Sequence, residues 1–406
     1  MITRIEIDGF KSFENFALDL PPFLVLIGTN ASGKSNLLDA LTFVATAGTR
    51  GVDAAVSEVR GDARGLFRKR GDGSRVDRMR FALELLLPAR GSSLSSRWRW
   101  EVCFAWAVPE GELEGITIET QRLVSLSSPG RVIPSMEHEW VVSGRRSALQ
   151  YFPSSPKADW QVVSDIEHEL AQVRSLHLEA GSLRGASELG GPRRMDSTGR
   201  NLPNYLRFLA RETASENRPL GVVGEIKMHL VGLVREISDF EIVEDKRRRD
   251  VRLEFASPYD RGLDAEFASD GTLRMLAILA ALHDDGTAVI EEPENGVFPE
   301  RLRQLLGLAR ELVTGEDEAV TSGPGRPLQR QALFTSHSPV VLDAVPRENI
   351  AFLDMTTILE GAVASRVSRV RRLREDDGAV RGDGERWPRV TDSELDRFRA
   401  GVEEPV

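Results

Sequence analysis

The chain has 406 residues, of which 41% are hydrophobic and 29% are charged, and its formal net charge is −10 at pH 7. This composition allows one or two folded domains and excludes a disordered class, while the negative charge excludes general attraction to nucleic acid or anionic membranes. The single cysteine, Cys103, excludes a disulfide framework, and no apolar run reaches the eighteen or so residues of a membrane span. We therefore expect a cytoplasmic protein that contacts no membrane.

The N-terminal half predicts strands around one helix. ITRIEI and FALDL predict two short strands, and the alternation in MITRIEIDGF is not that of a signal peptide. The apolar strand PFLVLIG precedes the helix KSNLLDALTFVATA, and the Gly-, Arg- and Asp-rich residues 50–80 predict an ordered loop with short elements. Between about 80 and 150, four runs separated by turn residues predict an antiparallel sheet: RFALELLL, RWRWEVCFAWAV, GITIETQRLVSL and EHEWVV.

The C-terminal half begins with a helical pattern at about 160–237, in DIEHELAQV, NLPNYLRFLARET and GEIKMHLVGLVREI. FEIVE and DVRLEF then predict a hairpin around DKRRR. A helix in TLRMLAILAALH, a strand in TAVIE, a helix in PERLRQLLGLARELV and a strand in ALFTS follow in order. The Arg- and Asp-rich last forty or so residues predict only partial structure.

The segment GTNASGKS, Gly28–Ser35, matches the pattern Gly, four residues, Gly-Lys-Ser/Thr between an apolar strand and a helix. Its glycines let the backbone curl so that N–H groups face phosphate oxygens, and the helix directs its positive end at the same anion. Lys34 adds charge for the β and γ phosphates, and Ser35 offers a hydroxyl to Mg²⁺. We expect ATP and Mg²⁺ as ligands, with nucleotide contacts from Gly28, Thr29, Asn30, Ala31, Ser32, Gly33, Lys34, Ser35 and Asn36.

The segment AVIEEPENG, Ala288–Gly296, ends an apolar strand in acids. In a parallel α/β sheet the ligand lies at the C-terminal ends of the strands, so these acids are expected beside Gly28–Ser35, which we call the phosphate loop. Glu291 is expected to hold Mg²⁺ with Ser35, through a water, and Glu292 is expected to act as the base that orients the attacking water. A solvated acidic turn is the alternative.

Two more segments complete a series of motifs: FASDGTLRMLAILAAL (Phe267–Leu282) and LFTSHSP (Leu333–Pro339). Each segment alone has an ordinary interpretation. Ser-Asp-Gly in the first segment is a common helix N-cap, and the lone histidine in the second is more often structural than catalytic. Together with ITRIEIDGFKSFENFALDL and the two motifs above, they resemble the ATPase head of the ABC superfamily. The resemblance is greatest to its SMC and RecF branch, and within it to predicted AAA-type ATPases related to the OLD family head. It implies an α/β fold, a P-loop head with mixed sheets and a helical insertion, and no long coiled coil.

The resemblance also implies roles for the later motifs. SDGTLR is similar to the signature, so Ser269, Asp270 and Gly271 would complete the nucleotide site of a second copy. VIEEPENGVFP resembles a Walker B strand, with Glu-Glu in place of the usual Asp-Glu, followed by a D-loop that carries Glu294 and Asn295. SHSP resembles the segment of the switch histidine, which gives His337 a catalytic role with Glu292. The Q-loop glutamine is not placed, and its candidates are Gln150, Gln161 and Gln172, or Arg184 in LHLEAGSLRGAS.

Four regions follow from this alignment of motifs. Residues 1–150 would form an N-terminal lobe with the phosphate loop and the antiparallel sheet, and 151–237 a helical insertion or arm. Residues 238–360 would form a C-terminal lobe with the signature, Walker B strand, D-loop and switch histidine, and 361–406 a tail. The acids of that tail, Asp376, Asp377, Asp383 and Glu385, are expected to be solvated.

The implied activity is Mg²⁺-dependent hydrolysis of ATP to ADP and phosphate by a homodimer that forms around ATP. The dimer would switch a DNA-linked process, repair or anti-phage defence, through a separately encoded effector. OLD nucleases join a similar head to a Toprim domain, and the about sixty residues after His337 are too few for one. Possible DNA contacts lie in basic runs at 68–70, 246–249 and 371–374. For 68–70, however, a solvated basic turn is the expected interpretation. A membrane-transporter motor subunit and a nucleotide-binding scaffold without turnover are the competing functions.

Overall fold

The computed structural model describes residues 1–87, 96–107, 114–126, 145–150, 158–315, 329–373 and 389–400. The helices are α1 (Lys34–Arg50), α2 (Val52–Glu58), α3 (Ala158–Ala171), α4 (Ala180–Leu183), α5 (Leu202–Glu212), α6 (Val222–Leu233), α7 (Asp270–Leu282), α8 (Pro299–Leu312), α9 (Val341–Ala344) and α10 (Asp392–Arg399). The strands are β1 (Ile2–Asp8), β2 (Phe16–Asp19), β3 (Phe23–Gly28), β4 (Arg78–Leu87), β5 (Ser96–Ala107), β6 (Gly115–Ser125), β7 (Val173–Leu176), β8 (Ser187–Glu188), β9 (Asp239–Asp245), β10 (Asp250–Ala256), β11 (Arg261–Asp264), β12 (Gly286–Glu291), β13 (Arg330–Ser336), β14 (Ile350–Glu360) and β15 (Val363–Arg372).

A six-stranded sheet forms the centre, in the order β15-β14-β3-β13-β12-β7. All neighbouring pairs are parallel except β14 and β15. Strands β3 and β12 are buried along their whole length, as expected for parallel strands covered on both faces. Because the strands run in the same direction, the ends of β3 and β12 reach the same edge of the sheet. That edge therefore brings the phosphate loop and the acidic segment together.

The side chains of β3 alternate between two hydrophobic cores. Leu24 and Leu26 face the first core, which contains α1 and the apolar face of an antiparallel sheet ordered β2-β1-β4-β5-β6. Val25 and Ile27 face the second core, which contains α5, α6, α7 and α8. The central sheet is thus held from both sides, so the loop that follows β3 starts from a fixed position.

The predicted α/β fold with mixed sheets is confirmed, as is the antiparallel sheet of the first half. The predicted hairpin forms from β9 and β10, and a smaller sheet joins β10 to β11 and β8. The fourth run predicted for the antiparallel sheet of the first half, EHEWVV at residues 137–142, lies outside the described residues. The described ranges contain no long coiled coil, and no helix in them has the length and hydropathy needed to cross a membrane.

Three strands of the central sheet differ from the sequence-based expectation. β7 lies inside the stretch predicted to be helical, and β14 was not predicted. β15 belongs to the segment predicted as a tail, yet it pairs with β14 along ten positions. Its polar residues are buried because partners neutralise them: Arg371 lies between Asp354, at 2.6 Å, and Glu394 of α10, at 2.9 Å. Composition alone does not reveal such partners.

Candidate functional site

The segment between β3 and α1 is a tight loop. Ala31 and Gly33 have positive φ angles of 59° and 102°, a geometry that curls the backbone and turns successive N–H groups toward the inside. Only glycine fits at two positions: a Cβ on Gly28 would lie 2.1 Å from the Leu353 carbonyl oxygen, and one on Gly33 would lie 2.1 Å from Ser368 Oγ. Asn30 and Ala31 are exposed at the rim of the loop. The loop can therefore surround an anion of phosphate size.

Lys34 lies under this loop. Its Nζ donates to the carbonyl oxygens of Gly28, at 2.7 Å, and Thr29, at 2.8 Å, and the residue is 5% exposed. Burial lowers the pKa of Lys34 to about 8, although the charges of Glu292, Glu294 and Glu291 act in the opposite direction. The acidic segment thus faces a buried ammonium group, and it is not a solvated turn.

ATP binding at this loop should be accompanied by proton uptake on Lys34. A phosphate beside the ammonium group raises its pKa, so a lysine with a pKa of about 8 gains protons when the anion arrives. At pH 8.5 we expect uptake of roughly three quarters of a proton per ATP, against about one tenth at pH 7. Calorimetric titration in buffers of different ionisation enthalpy measures this number. The uptake should disappear in Lys34→Arg, since a guanidinium remains protonated, and equal uptake at both pH values would contradict the prediction.

Ser35 and Glu291 meet at the edge of the sheet. The Ser35 hydroxyl donates to Glu291 Oε1, and the Glu291 carboxylate is 7% exposed. Burial raises the pKa of Glu291, but the Ser35 hydrogen bond and the charges of Arg60 and His177 outweigh it and hold the pKa below its ordinary value. Within the described ranges, no group of three or more His, Cys, Asp or Glu side chains could hold a metal. One carboxylate and one hydroxyl fit Mg²⁺ that is also bound by substrate phosphates.

Two neighbours of Glu291 were not predicted. His177 directly follows β7, and its Nδ1 lies 2.8 Å from Glu291 Oε2. Arg60 lies with Nη1 3.7 Å from Glu291 Oε1 and donates from Nη2 to the Ser35 carbonyl oxygen at 2.9 Å. Both could be found only by knowing that β7 lies beside β12 and that the 50–80 loop returns to α1.

Glu292 and His337 meet on the other side of the acidic turn. Glu292 has a φ of 48°, so the chain turns after β12. The Glu292 side chain therefore contacts different residues from those that surround Glu291. Its Oε1 lies 3.2 Å from His337 Nε2, and its Oε2 accepts from Asn295 Nδ2 at 2.9 Å. Burial and the charge of Lys34 lower the pKa of His337, against the opposite effect of Glu292. The carboxylate is thus oriented by two partners and is one-third exposed.

Glu294 connects the acidic turn to the strand end that carries the histidine. Its Oε1 accepts from the backbone N–H of His337 at 2.7 Å and from the Ser336 hydroxyl at 2.9 Å. Both contacts fix the position where β13 ends. The residue predicted as part of a D-loop therefore also determines where His337 lies relative to Glu292.

The predicted signature residues begin α7. Ser269 is the N-cap and accepts from the Thr272 N–H at 3.1 Å. Asp270 forms an ion pair with Arg184, whose Nη1 also donates to the carbonyl oxygens of Glu266 and Ala268. A Cβ on Gly271 would lie 2.5 Å from the carbonyl oxygen of Gly296, which ends the acidic segment. The start of α7 is therefore fixed against that segment.

A family model described as "AAA domain, putative AbiEii toxin, Type IV TA system" matches residues 23–343, more than three quarters of the chain. The chain belongs to this AAA-domain family. The matched range contains the phosphate loop, β12 with the acids that end and follow it, and β13 with the His337 that follows it.

Solved structures show the fold of this AAA-domain protein. An SMC head bound to the C-winged helix domain of ScpA matches with a TM-score of 0.52 and 13% identity, over 90% of this chain and 97% of that one. The SMC head of Pyrococcus furiosus, solved with an extended coiled coil and the C-terminal domain of ScpA, has a TM-score of 0.47 and 13% identity, over 90% and 96%. The first match shows that the chain has the fold of an SMC head.

Sequence similarity to a chromosome partition protein is confined to a short segment. Over 44 residues the AAA-domain protein is 48% identical to the chromosome partition protein Smc of Methanocaldococcus jannaschii. The match covers 11% of this chain and 4% of that protein, so the chain spans a small fraction of its relative. The predicted ABC and SMC resemblance is confirmed at the level of the head, and the relation to the OLD subtype stays a prediction.

In this AAA-domain protein, the side chains of the three glutamines considered for the Q-loop form hydrogen bonds outside the candidate site. Gln150 donates to the Thr49 carbonyl oxygen at the end of α1, at 2.7 Å. Gln161 and Gln172 contact neighbours within or next to α3. Arg184 holds the start of α7, so the residue that follows β7 and reaches the acidic strand is His177. The segment LHLEAG lies beside the site, but the side chain that contacts the site is that of His177 and not that of Arg184.

Two of the three basic runs contain a buried arginine, although Lys69 in the first of them is exposed. Arg68 is 1% exposed and pairs with Glu14 and Glu360, each at 2.6 Å, so the expectation of a solvated turn is wrong for it. Arg371 is likewise buried among acids, and Arg374 lies outside the described residues, as do the tail acids at 376, 377, 383 and 385. The turn 246–249 between β9 and β10 is exposed.

Proposed function

We propose that this AAA-domain protein binds ATP with Mg²⁺ at the phosphate loop and hydrolyses it. The observation that supports this best is the common position of Lys34, the Ser35–Glu291 pair and the Glu292–His337 pair at one edge of the central sheet. Each of these groups has a partner that fixes it, and together they supply a cation, an oxygen donor set and a candidate base. Mg²⁺, when bound by Ser35 and Glu291, would neutralise phosphate charge.

The chain's own residues account for the remaining steps of hydrolysis. The loop N–H groups and Lys34 bind the phosphates, and Glu292 accepts the proton of the attacking water. Asn295 and His337 orient that carboxylate. Because the pKa of His337 is lowered, its ring is largely neutral at pH 7 and can exchange hydrogen bonds without adding charge.

We further propose that the site is completed by a second copy. The N-terminus of α7, with Ser269, Asp270 and Gly271, would contact the γ-phosphate bound to the loop of the partner, because a helix N-terminus favours an anion. ATP would then stabilise the dimer, and hydrolysis would release it. The packing of Gly271 against Gly296 links the start of α7 to the acidic segment and supports this coupling.

The process that the dimer switches is proposed to be DNA-linked, as repair or anti-phage defence, through an effector. The family description includes a toxin–antitoxin system, and the similar SMC head was solved with a bound partner domain, which supports a head that acts on another protein. The exposed turn Lys246–Arg249 is the basic segment that could neutralise DNA phosphates. A transporter motor would instead purify with membranes.

Purified protein with ATP and Mg²⁺ should release phosphate and leave plasmid and single-stranded DNA uncut. Hydrolysis needs the groups described above, whereas cleavage is assigned to the effector. Measurement of phosphate release separates this proposal from a nucleotide-binding scaffold, which would bind ATP without turnover. Cleavage of DNA that disappears on mutation of Asp383 or Glu385 would overturn the assignment of cleavage to a partner.

A further inference from the structure

Strand β15 passes directly against the phosphate loop. Ser368 is fully buried in the middle of this strand, and its Oγ donates to the carbonyl oxygen of Ser32, inside the loop, at 2.8 Å. A Cβ added to Gly33 would lie only 2.1 Å from the same Oγ. A residue more than three hundred positions away in the chain therefore contacts the loop at its tightest point.

Ser368 is part of a directed series of hydrogen bonds. Asn36 Nδ2 donates to Ser12 Oγ at 2.9 Å, and Ser12 Oγ lies 2.7 Å from Ser368 Oγ. A hydroxyl has one proton, and that of Ser368 is given to Ser32, so Ser12 must donate to Ser368. The backbone N–H of Ser368 also donates to the Ser12 carbonyl oxygen at 2.8 Å. Hydrogen bonds between segments that are distant in sequence thus fix the position of the Ser368 hydroxyl and determine which group it donates to.

We propose that Ser368 is a positioning residue for phosphate binding, an inference that rests on the proposed ATP site. The peptide between Ser32 and Gly33 is planar and trans, so its C=O and N–H point in opposite directions. By holding the Ser32 carbonyl on the β15 side, Ser368 directs the Gly33 N–H away from β15 and toward the inside of the loop. The hydroxyl thereby orients a phosphate donor that it does not touch.

Ser365 offers a matched control on the same strand. It is also buried, at 1% exposure, and its Oγ also contacts the backbone, accepting from the Gly71 N–H at 3.1 Å. Gly71 belongs to the turn before β4 and not to the phosphate loop. Replacing either serine by alanine removes one buried hydroxyl from β15, but only Ser368→Ala frees the Ser32 carbonyl.

The test compares wild type, Ser368→Ala, Ser365→Ala and Lys34→Ala by titration with ATP and Mg²⁺, alongside melting without nucleotide. We expect Ser368→Ala to bind ATP roughly three- to tenfold more weakly, the range for one hydrogen bond. Its KM should rise while kcat stays unchanged, because the lost contact acts on binding. Ser365→Ala should bind ATP like wild type even if it melts earlier. Ser12→Ala, which keeps the Ser368 hydroxyl but removes its donor, should weaken binding in the same direction, also where Ser368→Ala does not fold.

Three results would overturn the inference. If Ser368→Ala binds as wild type does while Lys34→Ala does not, the loop binds ATP without help from β15, and only this inference fails. If Ser365→Ala weakens binding as much as Ser368→Ala, the effect is general packing of the strand. If wild type itself does not bind ATP, the proposed function fails together with the inference.

Discussion

Lys34→Ala is expected to lower the affinity for ATP at least tenfold, or ~1.4 kcal/mol or more. The ammonium group donates to the Gly28 and Thr29 carbonyl oxygens, so its loss removes both the cation and a contact that holds the loop. It also leaves Glu291, Glu292 and Glu294 without the positive charge they face. The approach of another polyanion then becomes less favourable. A calorimetric or fluorescence titration with ATP measures the change.

Lys227→Ala is the control for Lys34→Ala. Lys227 lies on α6 and pairs with Asp239 at 2.8 Å, so this variant also loses a paired lysine but does not change the loop. It should bind ATP as wild type does. Unchanged affinity in Lys34→Ala, with the fold intact, would remove the assignment of Gly28–Ser35 as a phosphate loop.

Glu292→Gln is expected to keep ATP binding and to slow hydrolysis about a hundredfold or more, the range for loss of a general base. Glutamine has the same shape and can still accept from Asn295, but it cannot take the proton of the attacking water. The lysine and the loop contacts are unchanged, so affinity should remain. Phosphate release at saturating ATP measures the rate, and the titration used for Lys34 measures the affinity.

Glu291→Gln should behave differently, since Glu291 contacts Ser35 and His177 and is expected to hold the metal. Its main effect should be a higher Mg²⁺ concentration for half-maximal turnover, because a neutral amide is a weaker ligand than a carboxylate. If Glu291→Gln loses turnover at all Mg²⁺ concentrations and Glu292→Gln does not, the roles of the two acids are reversed.

Much of the site could be predicted because its parts are contiguous in sequence. Gly28–Ser35 lies between a buried strand and a helix. Glu291 ends a second buried strand, and Glu292 directly follows it. The parallel order of such strands then places both segments at one edge. These features depend on neighbouring residues, so one sequence is enough to find them.

The rest depends on strand order, which one sequence does not contain. His177 contacts Glu291 only because the four-residue β7 lies beside β12. A strand this short, within a stretch of helical pattern, shows no recognisable alternation of hydrophobic and polar residues. Ser368 lies in a strand whose arginines suggested a solvated tail. Its burial depends on the pairing of β15 with β14 and on acids that neutralise Arg371.

Sedimentation velocity of Glu292→Gln, with and without ATP and Mg²⁺, measures whether ATP joins two copies of the chain. A variant that binds ATP but hydrolyses it slowly should accumulate the closed state. We expect a monomer without nucleotide and a dimer with ATP, in a larger fraction than for wild type, and no dimer for Lys34→Ala. A monomer at ATP concentrations that saturate the loop would contradict this expectation.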